Sequence, residues 1–399
     1  MGDRDDLSAQ EAAELLGISK ATLYSYVSRG LIRSEETGAA DRTRRYNRAD
    51  VLALQQRKAV RRNPAQAAAQ ALDFGAPVLE SAITLIDDGR LYYRGREAVE
   101  LAATHRFEEV ACWLWVEDFD AAALFTPEQT PPLPAPSAPD RTQPVDTFQQ
   151  LLLAAGDADL AAHSPALRAV AQTGVRLLRL LTWCITGEMS AAPIAEQLQR
   201  CWSPTQPESE HLLDAALILC ADHELNISAF TARCIASAGA SPYLAVEGAL
   251  CALRGYRHGG STQRVAALFA AAADHPAREV GARLKRGEAL PGFGHTLYPD
   301  GDPRGRLLIE LVSDARAGHP QVELGRELIE LAAASTGQLP NIDFALVLLA
   351  RALDLPSHAP FTLFALGRLA GWIGQIGEQY AEDRLIRPRA RYVGRPGFP

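Results

Sequence analysis

Apolar residues recur every three or four positions along almost the whole chain after Glu97. This spacing places them on one face of an α-helix, whereas a half-buried strand would alternate apolar and polar residues. The pattern is clearest over 208–222, 242–254, 262–273, 323–333, 343–353 and 360–380. The sequence therefore predicts an all-helical body, and its 399 residues are enough for two or three domains with a large core.

The segment 7–62 has the pattern of a separate, smaller unit. Ser8 and Glu11 fit a capping box that opens a short helix, and Gly17 is placed to end it. Ser19 can cap a second helix that runs to about residue 29, and a polar, arginine-rich stretch follows over 33–45. Two short helices joined by a glycine turn are predicted here.

Helix-turn-helix spacing is indicated by Ala13, Gly17 and Leu23, which supply a small residue for close helix approach, a turn and an apolar anchor. With the basic stretch that follows, the segment resembles the winged helix-turn-helix domain of MerR-type regulators. The resemblance implies binding to duplex DNA through the second helix and a basic wing. The candidate DNA contacts are Lys20, Thr22, Arg29, Arg33, Arg44 and Arg45.

Charge is divided unevenly between this segment and the body. Residues 19–62 hold eleven Lys and Arg against four Asp and Glu, a local charge of +7. Because the net charge of the whole chain is −8, the remaining residues sum to −15. Neutralisation of phosphates by basic side chains supplies most of the affinity of DNA-binding domains. A basic segment joined to an acidic body indicates two partners of different kinds.

Three segments interrupt the helical pattern of the body. Residues 63–74 read as a linker, and 79–94 has the β-like pattern of a hairpin that ends at Tyr93-Arg94-Gly95. The stretch Pro127–Pro144 contains seven prolines, which are incompatible with helix and strand interiors. It is predicted to form a surface loop or a disordered insertion.

Composition argues against several classes of protein. No run of 18 apolar residues occurs and the first residues are acidic and polar, so a cytoplasmic protein without a membrane anchor or signal peptide is expected. The six cysteines form no C-x-x-C pair, which favours buried free thiols over zinc sites or disulfides. We expect no metal at Asp222-His223-Glu224 either, because three consecutive side chains point in different directions.

The residues best suited to chemistry lie on glycine-rich turns. His258 precedes Gly259-Gly260, and His295 follows Gly294. A neutral histidine at the start of a helix can donate to a developing enolate oxygen, and we expect the helix after Gly260 to keep His258 neutral, with Ser261 or Thr262 as cap. Asp343 can act as a base if burial raises its pKa.

In order and spacing the chain resembles the citrate synthase family from about residue 75 to its C-terminus. The residues that carry this resemblance are Asp222-His223-Glu224, His258-Gly259-Gly260, Gly294-His295, Tyr298, Asp302-Pro303-Arg304, Asn341-Ile342-Asp343, Arg368 and Arg387-Pro388-Arg389. The resemblance implies a large and a small helical subdomain, the small one roughly 260–355. The predicted domains are thus 1–62, the linker 63–74 and the body 75–399.

The resemblance also implies a role for each matching position. Asp343 would be the base that enolises the acyl-CoA, His258 would polarise its thioester, and His295 would protonate the ketone of oxaloacetate. Oxaloacetate would be bound by His223 and by Arg304, Arg368 and Arg387. The forked guanidinium groups of the arginines match carboxylates. The backbone loop that contacts CoA would be Leu290, Pro291, Gly292, Phe293 and Gly294.

In the family the last of these arginines reaches into the site of a second subunit, so the match of Arg387 implies a homodimer. The implied activity is the condensation of acetyl-CoA with oxaloacetate to citrate and CoA, with no cofactor besides the acyl-CoA substrate. Tyr256-Arg257, Ser261-Thr262-Gln263 and Gln375 depart from the family's usual residues beside the site. These departures lie close enough to change rate or substrate choice.

Two alternatives remain open from the sequence. A 2-methylcitrate synthase would use propionyl-CoA through the same residues, and one methylene changes binding in an apolar pocket by only about 1–3 kcal/mol. A DNA-binding transcription regulator would keep a body of this fold solely to sense a metabolite. The presence of Asp343 argues against such a sensor, because sensing needs no base.

Overall fold

The computed structural model describes residues 6–37, 43–48, 50, 51, 54, 79–130, 139–390 and 392–394. The chain divides into two compact units, one formed by Met1–Glu80 with Pro388–Pro399 and the other by Ser81–Arg387. The predicted linker 63–74 and part of the proline-rich stretch lie outside the described residues.

The described part of the first unit includes two helices and a small antiparallel sheet. Its elements are β1 (Asp6–Leu7), α1 (Ala9–Leu16), α2 (Lys20–Ser28), β2 (Ser34–Thr37) and β3 (Thr43–Asn47), with the strands in the order β1-β3-β2. The predicted capping box is present, since the Ser8 hydroxyl accepts from the Glu11 amide and the Glu11 carboxylate accepts from the Ser8 amide. Gly17 ends α1 in the left-handed conformation, with φ of +58°. The short helix and turn predicted from the sequence are confirmed.

This unit has a hydrophobic core of its own. Ala13 and Leu23 pack together between α1 and α2, as the helix-turn-helix spacing requires. The other buried members of the cluster are Ala12, Leu16, Ile32, Tyr46 and Val51. A side chain larger than Ala at 13 would push the two helices apart.

The second unit begins with a β-hairpin and continues almost entirely as helices. The strands are β4 (Thr84–Asp87), β5 (Arg90–Tyr93) and β6 (Arg96–Glu97), which confirms the predicted hairpin. The first helices are α3 (Ala98–Thr104), α4 (Phe107–Val116), α5 (Pro144–Ala158), α6 (Leu167–Thr186), α7 (Ile194–Trp202) and α8 (Ser209–Cys220). Short 3₁₀ helices cover Phe119–Phe125 and Leu160–His163.

The remaining helices include those that carry or flank most of the candidate functional residues. They are α9 (Ile227–Ala236), α10 (Pro242–Leu253), α11 (Ser261–Ala272), α12 (Pro276–Lys285), α13 (Pro303–Ala315), α14 (Pro320–Thr336), α15 (Ile342–Ala352) and α16 (Ala359–Glu382). Each of the six stretches with the clearest helical periodicity corresponds to one of these helices or to α8. The prediction of a helical body is confirmed.

The longest helix, α16, runs through the core and crosses the end of α8 at two glycines. A Cβ atom on Gly367 would lie 2.5 Å from the Leu217 carbonyl oxygen, and one on Gly371 would lie closer still to that of Ala221. The Gly371 amide donates to the same Ala221 oxygen. This close approach brings Arg368 of α16 beside the residues that follow α8.

Two expectations about composition are refined by the structure. Cys112, Cys184 and Cys220 are buried free thiols as expected, whereas Cys201 and Cys234 are half-buried and Cys251 is exposed. Among the described residues, no helix combines the length and hydrophobicity needed to cross a bilayer.

Candidate active site

The three residues proposed from sequence as catalytic, and the proposed oxaloacetate ligand His223, lie at four different places in the chain. His223 follows α8, His258 lies in the turn between α10 and α11, His295 in the loop before α13, and Asp343 in the first turn of α15. Arg368 provides the link between them, because its guanidinium group acts electrostatically on His223, His258 and Asp343. The structure thus brings these side chains into one buried region.

Asp343 is held by the cap of its own helix. The Asn341 side chain accepts hydrogen bonds from the amides of Asp343 and Phe344, and its Nδ2 donates to the Gly294 carbonyl at 3.1 Å. Oδ1 of Asp343 is buried, and no hydrogen-bond partner occurs for it among the described residues. Burial raises the pKa of Asp343 to about 7, although Arg304, a hydrogen bond from Ser261 and Arg368 oppose the shift. A carboxyl group with these properties can exchange a proton near neutral pH.

His258 is fixed through a serine that the sequence analysis did not identify. Its Nε2 lies 2.9 Å from Oγ of Ser228, which accepts a hydrogen bond from the Trp372 indole at 3.1 Å. The same hydroxyl donates to Oδ1 of Asn226, the cap of α9, at 2.7 Å. A serine in the first turn of a helix is so common that no sequence signal distinguishes Ser228.

The charge state of His258 has a different cause from the one predicted. Burial, followed by the Arg368 guanidinium, lowers its pKa to about 3. The helix after it begins at Ser261 with Gly260 as cap, and neither Ser261 nor Thr262 caps it with a side chain. The imidazole is neutral as expected, but the largest influence on its pKa is desolvation by burial. The histidine lies in the turn before the helix rather than at the helix end.

His295 presents a defined tautomer. Its Nδ1 accepts a hydrogen bond of 3.1 Å from the Leu297 amide, so the proton of the neutral ring is on Nε2. Burial and the Arg304 guanidinium lower the pKa of His295 to about 4. The ring lies 5.2 Å from that of His223, centroid to centroid. His295 can therefore donate a proton from Nε2 to an acceptor.

Two arginines supply positive charge to the same region. Arg304 is almost fully buried and donates from Nε and Nη2 to the Asp302 carboxylate, which leaves Nη1 outside that ion pair. Arg368 donates from Nε to the Cys220 carbonyl, and its buried Nη2 has no partner among the described residues. A buried guanidinium nitrogen without a partner is costly unless a ligand provides an acceptor. The guanidinium groups of Arg304 and Arg368 together can bind a ligand with two negative charges.

Asp222 anchors the turn that carries His223. Its Oδ2 accepts from the Thr84 hydroxyl at 2.6 Å and from the Gln375 amide at 3.2 Å. Arg233, itself completely buried, donates to Oε1 of Gln375 at 3.4 Å. Gln375, which departs from the family's usual residue, thus belongs to a buried polar network behind the site.

Arg387 is not brought into the site of its own chain. The residue before it, Ile386, donates from its amide to Ser237 at the C-terminal end of α9, whereas Ser228 beside His258 is at the opposite end. A helix of this length spans about 15 Å. Arg387 is exposed, and the residue before it is held at the end of α9 remote from Ser228.

The loop predicted to contact CoA is Leu290, Pro291, Gly292, Phe293 and Gly294. Its backbone pairs with the segment before α15: the Asn341 amide donates to the Gly292 carbonyl and the Gly294 amide to the Leu339 carbonyl. Gly292 and Gly294 have φ of +86° and +76°, a region that favours glycine. The two glycines let the loop pass directly beside the turn that carries Asp343.

The residues predicted to contact DNA lie in the first unit. Lys20 and Arg29 are exposed at the two ends of α2, whereas Thr22 is half-buried and bonded to the Ser19 hydroxyl. Arg33 forms a two-pronged ion pair with Asp50. Arg44 and Arg45 are exposed on β3, opposite Glu36 and Glu35 of β2 in the strand register.

Comparisons with known proteins agree with this fold. The chain belongs to the citrate synthase family, a family of acyltransferase-type enzymes: a family model for the citrate synthase C-terminal domain matches residues 73–389. A second model, for a helix-turn-helix domain, matches residues 7–59.

The relatives of this chain include proteins named citrate synthase and proteins named 2-methylcitrate synthase. A citrate synthase of Mycolicibacterium smegmatis is 28% identical over 335 residues, which are 77% of this chain and 89% of the relative. A 2-methylcitrate synthase of Mycobacterium tuberculosis is 32% identical over 341 residues, 76% of this chain and 84% of the relative. The crystal structure of citrate synthase from Thermotoga maritima has a TM-score of 0.68 and 25% identity, covering 82% of this chain and 96% of that one.

Proposed function

We propose that the body condenses acetyl-CoA with oxaloacetate and hydrolyses the resulting thioester to citrate and CoA. The observation that carries this proposal is the Asp343 carboxyl, whose Oδ1 is buried with no partner among the described residues and whose pKa burial raises to about 7 beside two buried arginines. Such a group can remove a weakly acidic proton near neutral pH. A purely structural aspartate would be expected to have hydrogen-bond partners for both oxygens.

Three side chains divide the proton transfers. Asp343 takes a proton from the methyl group of the thioester, and His258 donates a hydrogen bond to the thioester oxygen as the enolate forms. This role needs the proton on Nδ1 of His258, which requires the Ser228 hydroxyl proton to turn from Oδ1 of Asn226 to Nε2 of His258. The new carbanion attacks the ketone carbon of oxaloacetate, whose oxygen takes the proton from Nε2 of His295. Water then hydrolyses the thioester, with CoA as the leaving thiol.

The arginines and His223 bind the two carboxylates of oxaloacetate. Nη1 of Arg304 and both terminal nitrogens of Arg368 lie outside the contacts described above. A dianion between them would replace water as hydrogen-bond partner and offset the cost of the buried charges. The substrate would thereby complete the hydrogen bonding of both guanidinium groups.

A direct assay distinguishes the two candidate substrates. Released CoA is measured with a thiol reagent while oxaloacetate is offered with acetyl-CoA or with propionyl-CoA, and the product acid is identified by its mass. We expect citrate from acetyl-CoA, with CoA release that depends on oxaloacetate. The 32% identity to a 2-methylcitrate synthase makes 2-methylcitrate the alternative product. No CoA release with either thioester would reject the proposed activity.

We infer that the active enzyme is a homodimer. Ile227 of α9 and Leu244 of α10 are large apolar side chains that are 63% and 43% exposed, and they mark an apolar face on two neighbouring helices. A two-fold axis that runs perpendicular to α9 at this face would set the helix antiparallel to its copy. The end that carries Arg387 would then lie beside the partner's Ser228 and His258. This arrangement supports a site shared between subunits.

We further propose that the first unit binds duplex DNA through α2 and the β2–β3 wing. Lys20, Arg29, Arg44 and Arg45 are exposed there, whereas the ion pair with Asp50 makes Arg33 a weaker candidate. Binding of genomic fragments to the full-length protein should weaken steeply with salt. Lys20→Ala should lower the slope of the logarithmic salt dependence by about one, and Lys285→Ala, an exposed cation of the body, should leave it unchanged. Equal slopes for wild type and both variants would contradict a contact at Lys20.

A further inference from the structure

Tyr298 lies in the centre of the candidate site, although the reaction steps above give it no role. Its side chain is almost fully buried, and its hydroxyl oxygen lies 3.0 Å from Nε2 of His223. Its ring is 4.9 Å from the His295 ring and 5.6 Å from the His223 ring, and the Arg304 guanidinium lies 5.6 Å from it. The ring therefore contacts the two histidines and one arginine proposed to bind oxaloacetate.

In the hydrogen bond between Tyr298 and His223, the phenol hydroxyl is the donor. A buried O–H group requires an acceptor, and Nε2 of His223 is the acceptor that the described contacts provide for it. If His223 donated from Nε2 instead, the phenol proton would be left buried without a partner, at the cost of its lost hydration. Burial also raises the pKa of Tyr298 far above neutrality, so the phenol keeps its proton.

We propose that Tyr298 is a positioning residue that fixes His223 in the tautomer protonated on Nδ1. A neutral imidazole has one N–H, and a donor at Nε2 forces that proton onto Nδ1. Burial, with the charges of Arg304 and other neighbours, lowers the pKa of His223 well below its ordinary value and keeps the ring neutral. His223 then offers an N–H group to an anionic ligand rather than a lone pair, which would repel a carboxylate.

The consequence for binding rests on the proposed function, in which His223 contacts oxaloacetate. A contact made in both the bound substrate and the transition state changes KM more than kcat. Loss of the phenol hydroxyl would let His223 adopt either tautomer, and only one of them donates from Nδ1. Tyr298→Phe should therefore raise KM for oxaloacetate about tenfold, the effect of one hydrogen bond, with a smaller change in kcat.

The tautomer itself can be measured without any substrate. In protein labelled with ¹⁵N-histidine, the two ring nitrogens of His223 are assigned by comparison with His223→Gln, and the protonated nitrogen is identified from its NMR shift. Wild type should carry the proton on Nδ1, and Tyr298→Phe should shift both nitrogens towards a mixture of tautomers. Tyr243→Phe is the matched control, because it removes another buried phenol hydrogen bond, to Asp159, at the far end of α10 from His258. It should leave the His223 spectrum and KM unchanged.

The outcomes separate this inference from the proposed function. A wild-type His223 protonated on Nε2, or an identical His223 spectrum in Tyr298→Phe, would overturn it whether or not the protein condenses anything. If wild type shows the Nδ1 tautomer but releases no CoA, the inference stands and the proposed function fails. Thermal unfolding of Tyr298→Phe checks that the ring still packs, and the wild-type spectrum decides the tautomer even if the variant does not fold.

Discussion

Burial sets the charge of single residues in this site. Desolvation is the largest influence on the pKa values of His258, His295 and Asp343, and it favours the uncharged form of each. The histidines are thus neutral donors at physiological pH, while the aspartate is close to its midpoint. Arg304 and Arg368 remain charged, so positive charge is concentrated where a dianion would bind.

The titration of Asp343 should be visible in the pH dependence of kcat. Because a base must be ionised and burial raises its pKa to about 7, kcat should rise with pH and level off above that value. Below it, kcat should fall about tenfold per pH unit as the carboxyl becomes protonated. Initial rates at saturating substrates between about pH 5.5 and 8.5 test this, with thermal unfolding over the same range as the control. A flat profile would contradict the assignment of the base.

At the scale of elements, the close crossing of α16 and α8 holds the two sides of the site together. Gly371 stands where a Cβ atom would clash with the Ala221 carbonyl oxygen and the Asp222 side chain. The crossing also aligns Arg368 with the Cys220 carbonyl, one residue before Ala221. Backbone atoms cannot move aside as the end of a flexible side chain can, so position 371 has no room for a side chain.

Gly371→Ala should consequently lower the free energy of unfolding by about 3 kcal/mol, as overpacking against backbone displaces a helix. Gly281→Ala is the matched control, because Gly281 is also in a helix and nothing lies within 4 Å of the position that a methyl group would take there. That change should raise the free energy of unfolding by about 0.5–1 kcal/mol through helix propensity. Denaturant titration compares both with wild type, and equal stability of the two variants would contradict the close crossing.

Local patterns were sufficient to predict most elements. The capping box at Ser8, the turn at Gly17 and the periodic helices depend on residues close in sequence, and each is present. The contacts that fix the site join distant residues instead: Tyr298 meets His223 over 75 positions, and Thr84 meets Asp222 over 138. No periodicity encodes such pairs, so they became visible only in the folded chain. The sequence analysis attributed the neutral state of His258 to the helix that follows it, whereas burial has the largest effect on its pKa. Burial depends on the packing of the whole core, which no local pattern encodes.

The whole molecule combines a helical enzyme body with a helix-turn-helix unit. The resemblance named the body correctly from motifs spread over residues 222–389, and the family model confirms it. The boundaries 1–62, 63–74 and 75–399 and the subdomain 260–355 stay predictions. The proposed assembly has a physical test of its own, because Arg387 is exposed in its own subunit and the proposed site takes this arginine from a partner.

Subunit complementation tests the shared site. Asp343→Asn and Arg387→Ala should each be inactive alone, because one lacks the base and the other lacks a carboxylate ligand. After random exchange, half of the dimers are mixed, and each mixed dimer has one site with both native residues, so about a quarter of wild-type activity should return. Native mass spectrometry verifies the exchange. Mixed dimers without recovered activity would show that each site takes both residues from one chain.

The role of Asp343 is tested most directly by one substitution measured in two ways. Asp343→Asn keeps the shape of the side chain and removes the base, so kcat for CoA release should fall at least about a hundredfold. Calorimetric binding of oxaloacetate should remain close to wild type, because the arginines and His223 are intact. Asp314→Asn, an exposed aspartate of α13, is the matched control and should change neither quantity. A near-normal kcat in Asp343→Asn would contradict the account of this site.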